Sequence, residues 1–123
     1  MQKKPFSIRH RAHSLRHAIS GVALVFKTEH NAWIQSVAII AGIALGCYFR
    51  ISAFEWMALV FSMGLVVVSE AFNTAIEIDI DLTSPEIHPY AKKTKDVAAG
   101  AVLLSALTAL VVALIIFLPK IFG

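Results

Sequence analysis

The sequence predicts an all-α membrane protein: an N-terminal amphipathic surface helix followed by three transmembrane helices. Three observations predict it. The chain has 123 residues, and 58% of them are hydrophobic, with a mean hydropathy of +0.74. That length makes one domain, and a soluble domain of that size has too little interior to hide so much apolar surface. Only 15% of the residues are charged, and the charges crowd into a few places. The apolar residues fall into three long runs. Together these features exclude a disordered tail, a disulfide-stapled secreted module and an ordinary cytosolic enzyme.

The first element is a helix over about 7–29. Leu15, Ile19, Val22 and Phe26 recur at steps of four, three and four, while Arg16, His17, Ser20 and Lys27 occupy other faces. Such a stripe suits a helix lying in the membrane interface, or one packed on its own chain. Cleavage as a signal peptide is not expected. The apolar run 18–26 leads into Lys27-Thr28-Glu29-His30-Asn31, not into a small-residue cleavage site.

The spans are expected over about 33–49, 53–80 and 93–118. The run 34–49 is 16 residues, short for a crossing, so it extends back through Trp33 and stops at Arg50. Gly42 and Gly46 form a GxxxG that permits close helix contact. The single Cys47 lies in this run and reads as a small packing residue. Arg50-Ile51-Ser52 leaves room only for a turn between antiparallel helices. The second span carries Glu55 near one end and Glu70 near the other. The third includes 22 residues without a charge, 97–118, about 33 Å of helix. Ser84-Pro85-Glu86 reads as the N-cap, N1 and N2 of a short helix ahead of it.

The charges orient these spans. The formal net charge is +3, and the eleven basic residues divide as six before the first span, one after it, three before the third and one after that. Lys3, Lys4, Arg9, Arg11, Arg16 and Lys27 make up the six. The alternation predicts a cytoplasmic N-terminus and second connector, and a C-terminus outside. No platform of interleaved basic and aromatic residues accompanies the basic start, so it is expected to meet anionic lipid heads and not nucleic acid.

Chemistry concentrates at the end of the second span. Glu70, Asn73, Glu77 and Asp81 follow one another at steps of three, four and four, which places them on one helix face. An ionisable group inside a span is expensive and is a functional candidate by default. Glu70 lies 17 residues beyond Ala53, about 25 Å of rise, and therefore near the inner interface; Glu77 lies about 10 Å further towards the cytoplasm. Asp79 reads as part of a solvated helix end. Glu29 sits where the basic helix gives way to the first span. A pair of carboxylates, with bound phosphates, is enough to hold Mg²⁺. Lys95-Asp96 precedes the third span, where a lysine near a helix N-terminus suits phosphate oxygens or anchors the span at the interface. There is no GxxxxGK[ST], no GxGxxG and no paired His/Cys spacing for zinc. His10, His13, His17 and His30 cluster in sequence without a ligand pattern.

Two longer motifs give this cluster a relative. Glu70-x-x-Asn73-Thr74-Ala75-Ile76-Glu77-x-x-x-Asp81 and Ala91-Lys92-x-x-Lys95-Asp96-x-Ala98-Ala99-Gly100-Ala101-Val102 closely resemble the signature of the small prokaryotic lipid kinases, the bacterial diacylglycerol and undecaprenol kinases. The resemblance extends from Glu29-x-Asn31 to Leu118-Pro119-Lys120, and both ends look most like the undecaprenol kinase branch. It implies a homotrimeric bundle with active sites shared between subunits, in the bacterial inner membrane. ATP with Mg²⁺ would arrive from the cytoplasm and a lipid alcohol, undecaprenol or diacylglycerol, from the bilayer. By the same resemblance Glu70 is the base and a substrate contact, with Asn73 orienting the site. Glu29 and Glu77 hold the metal on ATP, and Asn31 lies on the lipid side. Lys95, Asp96, Glu86 and His88 are nucleotide contacts, with Lys95 on phosphate. The family's surface helix offers the nucleotide an aromatic or basic contact, and His17 and His10 stand where that contact is sought. Where the family often has a basic residue after Asn31, this chain reads Ala32-Trp33-Ile34-Gln35.

Two readings of other classes compete with the kinase. A small proton-coupled transporter would use Glu70 as its membrane carboxylate, but an odd number of spans and the cluster of Glu77, Lys95 and Asp96 speak against it. A non-catalytic assembly subunit leaves the polar stripe without a purpose.

Overall fold

The computed structural model describes residues 5–86 and 88–123, and among these all regular structure is helical. Lys3 and Lys4, and the side chain of His30, lie outside the described residues. The four helices are α1 (Ile8–Thr28), α2 (His30–Phe49), α3 (Ala53–Thr83) and α4 (Pro89–Phe122). The last three are long and apolar enough to cross a membrane.

Each boundary has a local cause. Ser7 caps α1, its Oγ accepting from the His10 N–H at 3.4 Å. Only Glu29, with φ −105° and ψ 120°, separates α1 from α2. Arg50 ends α2 in the left-handed region, at φ 51° and ψ 54°, and turns its N–H back to the Gly46 and Cys47 carbonyls. Two residues later Ser52 and Glu55 form a reciprocal capping box that starts α3, with Glu55 N–H to Ser52 Oγ at 3.1 Å and Ser52 N–H to Glu55 Oε1 at 3.0 Å.

The helix start expected at Ser84-Pro85-Glu86 does not form. Ser84 closes α3 instead, its N–H bonded to the Ile80 carbonyl. The next helix begins at Pro89, where a missing N–H does no harm, and His88 Nδ1 caps it by accepting from the Tyr90 N–H at 3.2 Å. The helices also outrun the apolar runs. At 31 and 34 residues, α3 and α4 are about 46 and 51 Å long, against about 30 Å of hydrocarbon. Hydropathy marks where a helix leaves lipid, not where its hydrogen bonds stop.

Packing is concentrated between α3 and α4. Leu59 of α3 and Ile116 and Phe117 of α4 are buried there with Ile51 of the α2–α3 turn, and Phe49, Trp56, Met63 and Val112 pack round them. The GxxxG of α2 faces α3: a Cβ on Gly46 would stand 2.6 Å from Trp56 Cη2, and one on Gly42 3.4 Å from Met63 Sδ. At the same end Lys120 Nζ pairs with Glu55 Oε2 at 2.7 Å, tying the start of α3 to the end of α4. On α1, Leu15, Ile19 and Val22 are exposed, Phe26 is half-buried and Val25 is buried, so most of the apolar stripe is left uncovered by its own chain. Trp33, Ile34, Val37 and Ile40 of α2 and Phe54, Met57 and Phe61 of α3 are likewise exposed.

Candidate active site

The polar face of α3 forms as its spacing requires. Three of its residues, Glu70, Asn73 and Thr74, are buried, Glu70 to 2% exposure. The flanking residues are mostly apolar, and Ser69 is taken up by the Leu65 carbonyl and Ser105 Oγ, so these buried polar groups look to one another and to facing helices for partners. Glu70 Oε2 accepts from Gln35 Nε2 of α2 at 2.9 Å. One turn on, Asn73 Nδ2 donates to Glu77 Oε1 at 3.4 Å, leaving Asn73 Oδ1 buried with no partner among the described residues. Thr74 Oγ1 donates to Glu29 Oε1 at 3.5 Å. Glu29 and Glu77 face each other, and Lys95 lies near enough to Glu77 to offset part of their charge.

Glu29 reaches this face because the chain bends there. Its N–H still bonds to the Val25 carbonyl at 3.2 Å, while its own carbonyl accepts from the Ala32 N–H at 3.2 Å. The junction thus closes one helix and opens the next with a single residue. That residue's carboxylate is set against α3 at the level of Thr74 and Glu77.

Further along, the connector between α3 and α4 carries a second polar region. Lys95 Nζ pairs with Asp81 Oδ1 at 2.6 Å, and Lys92 Nζ with Asp96 Oδ2 at 2.7 Å. Asp81, Glu86, His88, Lys92, Lys95 and Asp96 line a cleft of about 270 Å³. The Lys95–Asp81 pair joins this cleft to the face of α3 below it. Exposed pairs of this kind add little stability and exchange partners readily, so both lysines remain available to an anion.

Of the residues expected from sequence, Glu29, Glu70, Asn73 and Glu77 are brought together. Lys95, Asp96, Glu86 and His88 gather in the adjoining cleft. His17 is not joined to either group: it lies on the exposed surface of α1, its Nε2 3.0 Å from His13 Nε2. His10 lines a separate shallow cavity on α1 with Arg9, His13 and Arg16. Asn31 is exposed on the first turn of α2.

Gln35 and Thr74 join the site without having been singled out from the sequence. Both carry a signal. Thr74 is four residues past Glu70, and Gln35 is a polar residue inside an apolar run, four past Asn31 on the same face.

The donor set suits a hard divalent cation. Glu29, Glu77 and the unpartnered Asn73 Oδ1 offer only oxygen, which Mg²⁺ prefers. Among the described residues no three His, Cys, Asp or Glu side chains form a cage. A cation here would rely on oxygens of a bound phosphate for the rest of its shell.

Comparison with known proteins bears directly on this arrangement. The family model described as "Prokaryotic diacylglycerol kinase" matches residues 16–117, a stretch that holds the whole face from Glu29 to Asp96. An undecaprenol kinase of Bacillus subtilis (strain 168) is 38% identical over 107 residues, 87% of this chain and 87% of that protein. A diacylglycerol kinase of Synechocystis sp. is 37% identical over 107 residues, 86% of this chain and 61% of that protein. A diacylglycerol kinase of Escherichia coli (strain K12) is 28% identical over 100 residues, covering 76% of this chain and 82% of that protein. Nothing in these relatives supports the transporter reading of Glu70.

Proposed function

The chain belongs to the prokaryotic diacylglycerol kinase family and is a lipid kinase, and on that premise we propose that it moves the γ-phosphate of ATP to the primary hydroxyl of a membrane lipid alcohol, undecaprenol or diacylglycerol. The observation that carries this reading is a graded polar face: Glu70 buried to 2% at one end, Glu29 and Glu77 beyond it, and the lysine-bearing cleft last. A lipid hydroxyl approaches from the apolar end and a nucleotide from the polar end. Phosphoryl transfer needs little covalent help from a protein; it needs in-line placement and offset of charge.

Glu70 accepts the hydroxyl proton as the lipid oxygen bonds to the γ-phosphorus and the bridging oxygen leaves with ADP. Gln35 holds Oε2 of that carboxylate, and Asn73 ties the turn bearing it to Glu77. Glu29 and Glu77 would hold Mg²⁺, which when bound offsets the charge of the ATP phosphates. Lys95, released from Asp81, takes a phosphate oxygen, with Asp96, Glu86 and His88 on the nucleotide side. Asn31 lies on the lipid side, and His17 meets nucleotide only if α1 shifts or a second subunit presents it.

The assembly follows from the same reading. The chain is one integral-membrane kinase domain of the bacterial inner membrane, with its N-terminus in the cytoplasm, α1 along the interface and its C-terminus outside. The exposed apolar faces of α2 and α3 are covered by two further copies and by lipid, in a homotrimer whose sites are shared between subunits. The direct test is an ATP-phosphorylation assay of detergent-purified protein with undecaprenol and diacylglycerol side by side. Transfer to one or both is expected; transfer to neither refutes the reading.

A further inference from the structure

Glu70 is held from a second helix. Gln35 Nε2 on α2 donates to its Oε2 at 2.9 Å, and among the described residues no other side chain donates to this carboxylate. Gln35 also lines one end of a cavity of about 300 Å³ between α2, α3 and α4. Every other residue of that lining is apolar, among them Ala38, Gly42, Leu59, Met63 and Ala109. A primary amide in such a wall is costly unless it finds a partner, and the partner here is one oxygen of a nearly inaccessible carboxylate.

We propose that Gln35 is a positioning residue: its amide fixes Oε2 of Glu70 and so turns Oε1 towards the incoming hydroxyl. The proposal rests on Glu70 being the base of a lipid kinase. The chemistry of the amide suits the task. A cation at this position would hold the carboxylate more tightly, but it would offset its charge and weaken it as a base. An ionised carboxylate there has no proton to donate, and an aliphatic side chain would fill the cavity while leaving Glu70 free to turn. The amide donates one hydrogen bond and leaves the charge where it is.

The backbone supports the same role. Gly42 and Gly46 bring α2 close against Met63 and Trp56 of α3. Gln35 lies seven residues before Gly42, about 10 Å along the axis. The α2–α3 contact is therefore set by glycine at one end and by the Gln35–Glu70 bond at the other, and α2 becomes the fixed arm from which the carboxylate is aimed.

The test compares Gln35→Met, similar in shape but with no donor, with Gln35→His, whose ring N–H can donate. Both are made in the full chain, purified in detergent, and assayed for MgATP binding and for transfer to undecaprenol and diacylglycerol. In Gln35→Met, kcat should fall about a hundredfold, as for a reacting group misplaced by about 1 Å. KM for ATP should stay within about twofold, and Gln35→His should keep kcat within about tenfold of the unaltered chain. A packing role predicts the reverse order, with methionine welcome in an apolar wall and histidine damaging. Undiminished kcat in Gln35→Met overturns the proposal, as does a histidine variant no better than methionine, or MgATP binding lost in both. Those outcomes leave the kinase reading intact. An unaltered chain that phosphorylates neither lipid removes that reading and this proposal together.

Discussion

At the scale of single residues, the site is a short series of oxygens running out of an apolar helix, and each can be removed separately. Glu70→Gln keeps the size of the side chain and loses the proton acceptor. It should lower kcat about a thousandfold, within the range of a general base, while MgATP binding measured by calorimetry is retained. Near-normal transfer by the purified variant would take Glu70 out of the base role. Glu77→Ala removes one of the two carboxylates that face each other and are proposed to hold the metal. The Mg²⁺ concentration for half-maximal transfer should rise at least about tenfold, and excess chelator should abolish transfer by the unaltered chain. Undiminished turnover in chelator would contradict the metal role of the pair. Much of this face was legible in the sequence, because steps of three and four fix it wherever the helix is continuous. The partner of Glu70 was not legible. A glutamine in an apolar run says only that it needs a donor or acceptor nearby, and which helix supplies that depends on how α2 meets α3.

At the scale of helices, that meeting is set by two glycines with unequal tolerance. A methyl group on Gly46 would fall 2.6 Å from the Trp56 ring, whereas on Gly42 it would make ordinary contact with Met63 at 3.4 Å. Gly46→Ala should therefore cost about 1–3 kcal/mol through overpacking, read as a lower thermal midpoint in detergent. Gly42→Ala should be neutral or gain up to about 1 kcal/mol of helix propensity. Equal midpoints for the two variants would mean that α2 does not approach α3 as described. The GxxxG pattern was visible beforehand, but not which glycine carries the close contact, since that depends on where the indole lies. The span ends show the same limit. The turn at Arg50 could be placed because hydropathy and helix end together there. The start of α4 could not, because α3 continues through Glu77, Asp79 and Asp81 and takes Ser84 as its closing residue.

At the scale of the whole molecule, polar chemistry and packing lie at opposite ends. The buried apolar cluster of Ile51, Leu59, Ile116 and Phe117 and the Lys120–Glu55 pair sit far along α3 and α4 from Glu77. Lys120→Met should thus lower the thermal midpoint while leaving kcat and KM unchanged. A change in kcat comparable to that of a site variant would mean that the two ends are not separable. The architecture was readable early because composition and three apolar runs leave few alternatives. The order of charges bears only on orientation, and the exposed apolar faces of α2 and α3 do not by themselves say what covers them.

The joint at Glu29 has a mechanical side. With a single residue between α1 and α2, there is no slack to absorb a tilt of α1. A tilt of α1 about this joint is therefore passed on to a carboxylate that faces Glu77. The same peptide that completes the acidic pair thus also sets the angle between the two helices that flank it.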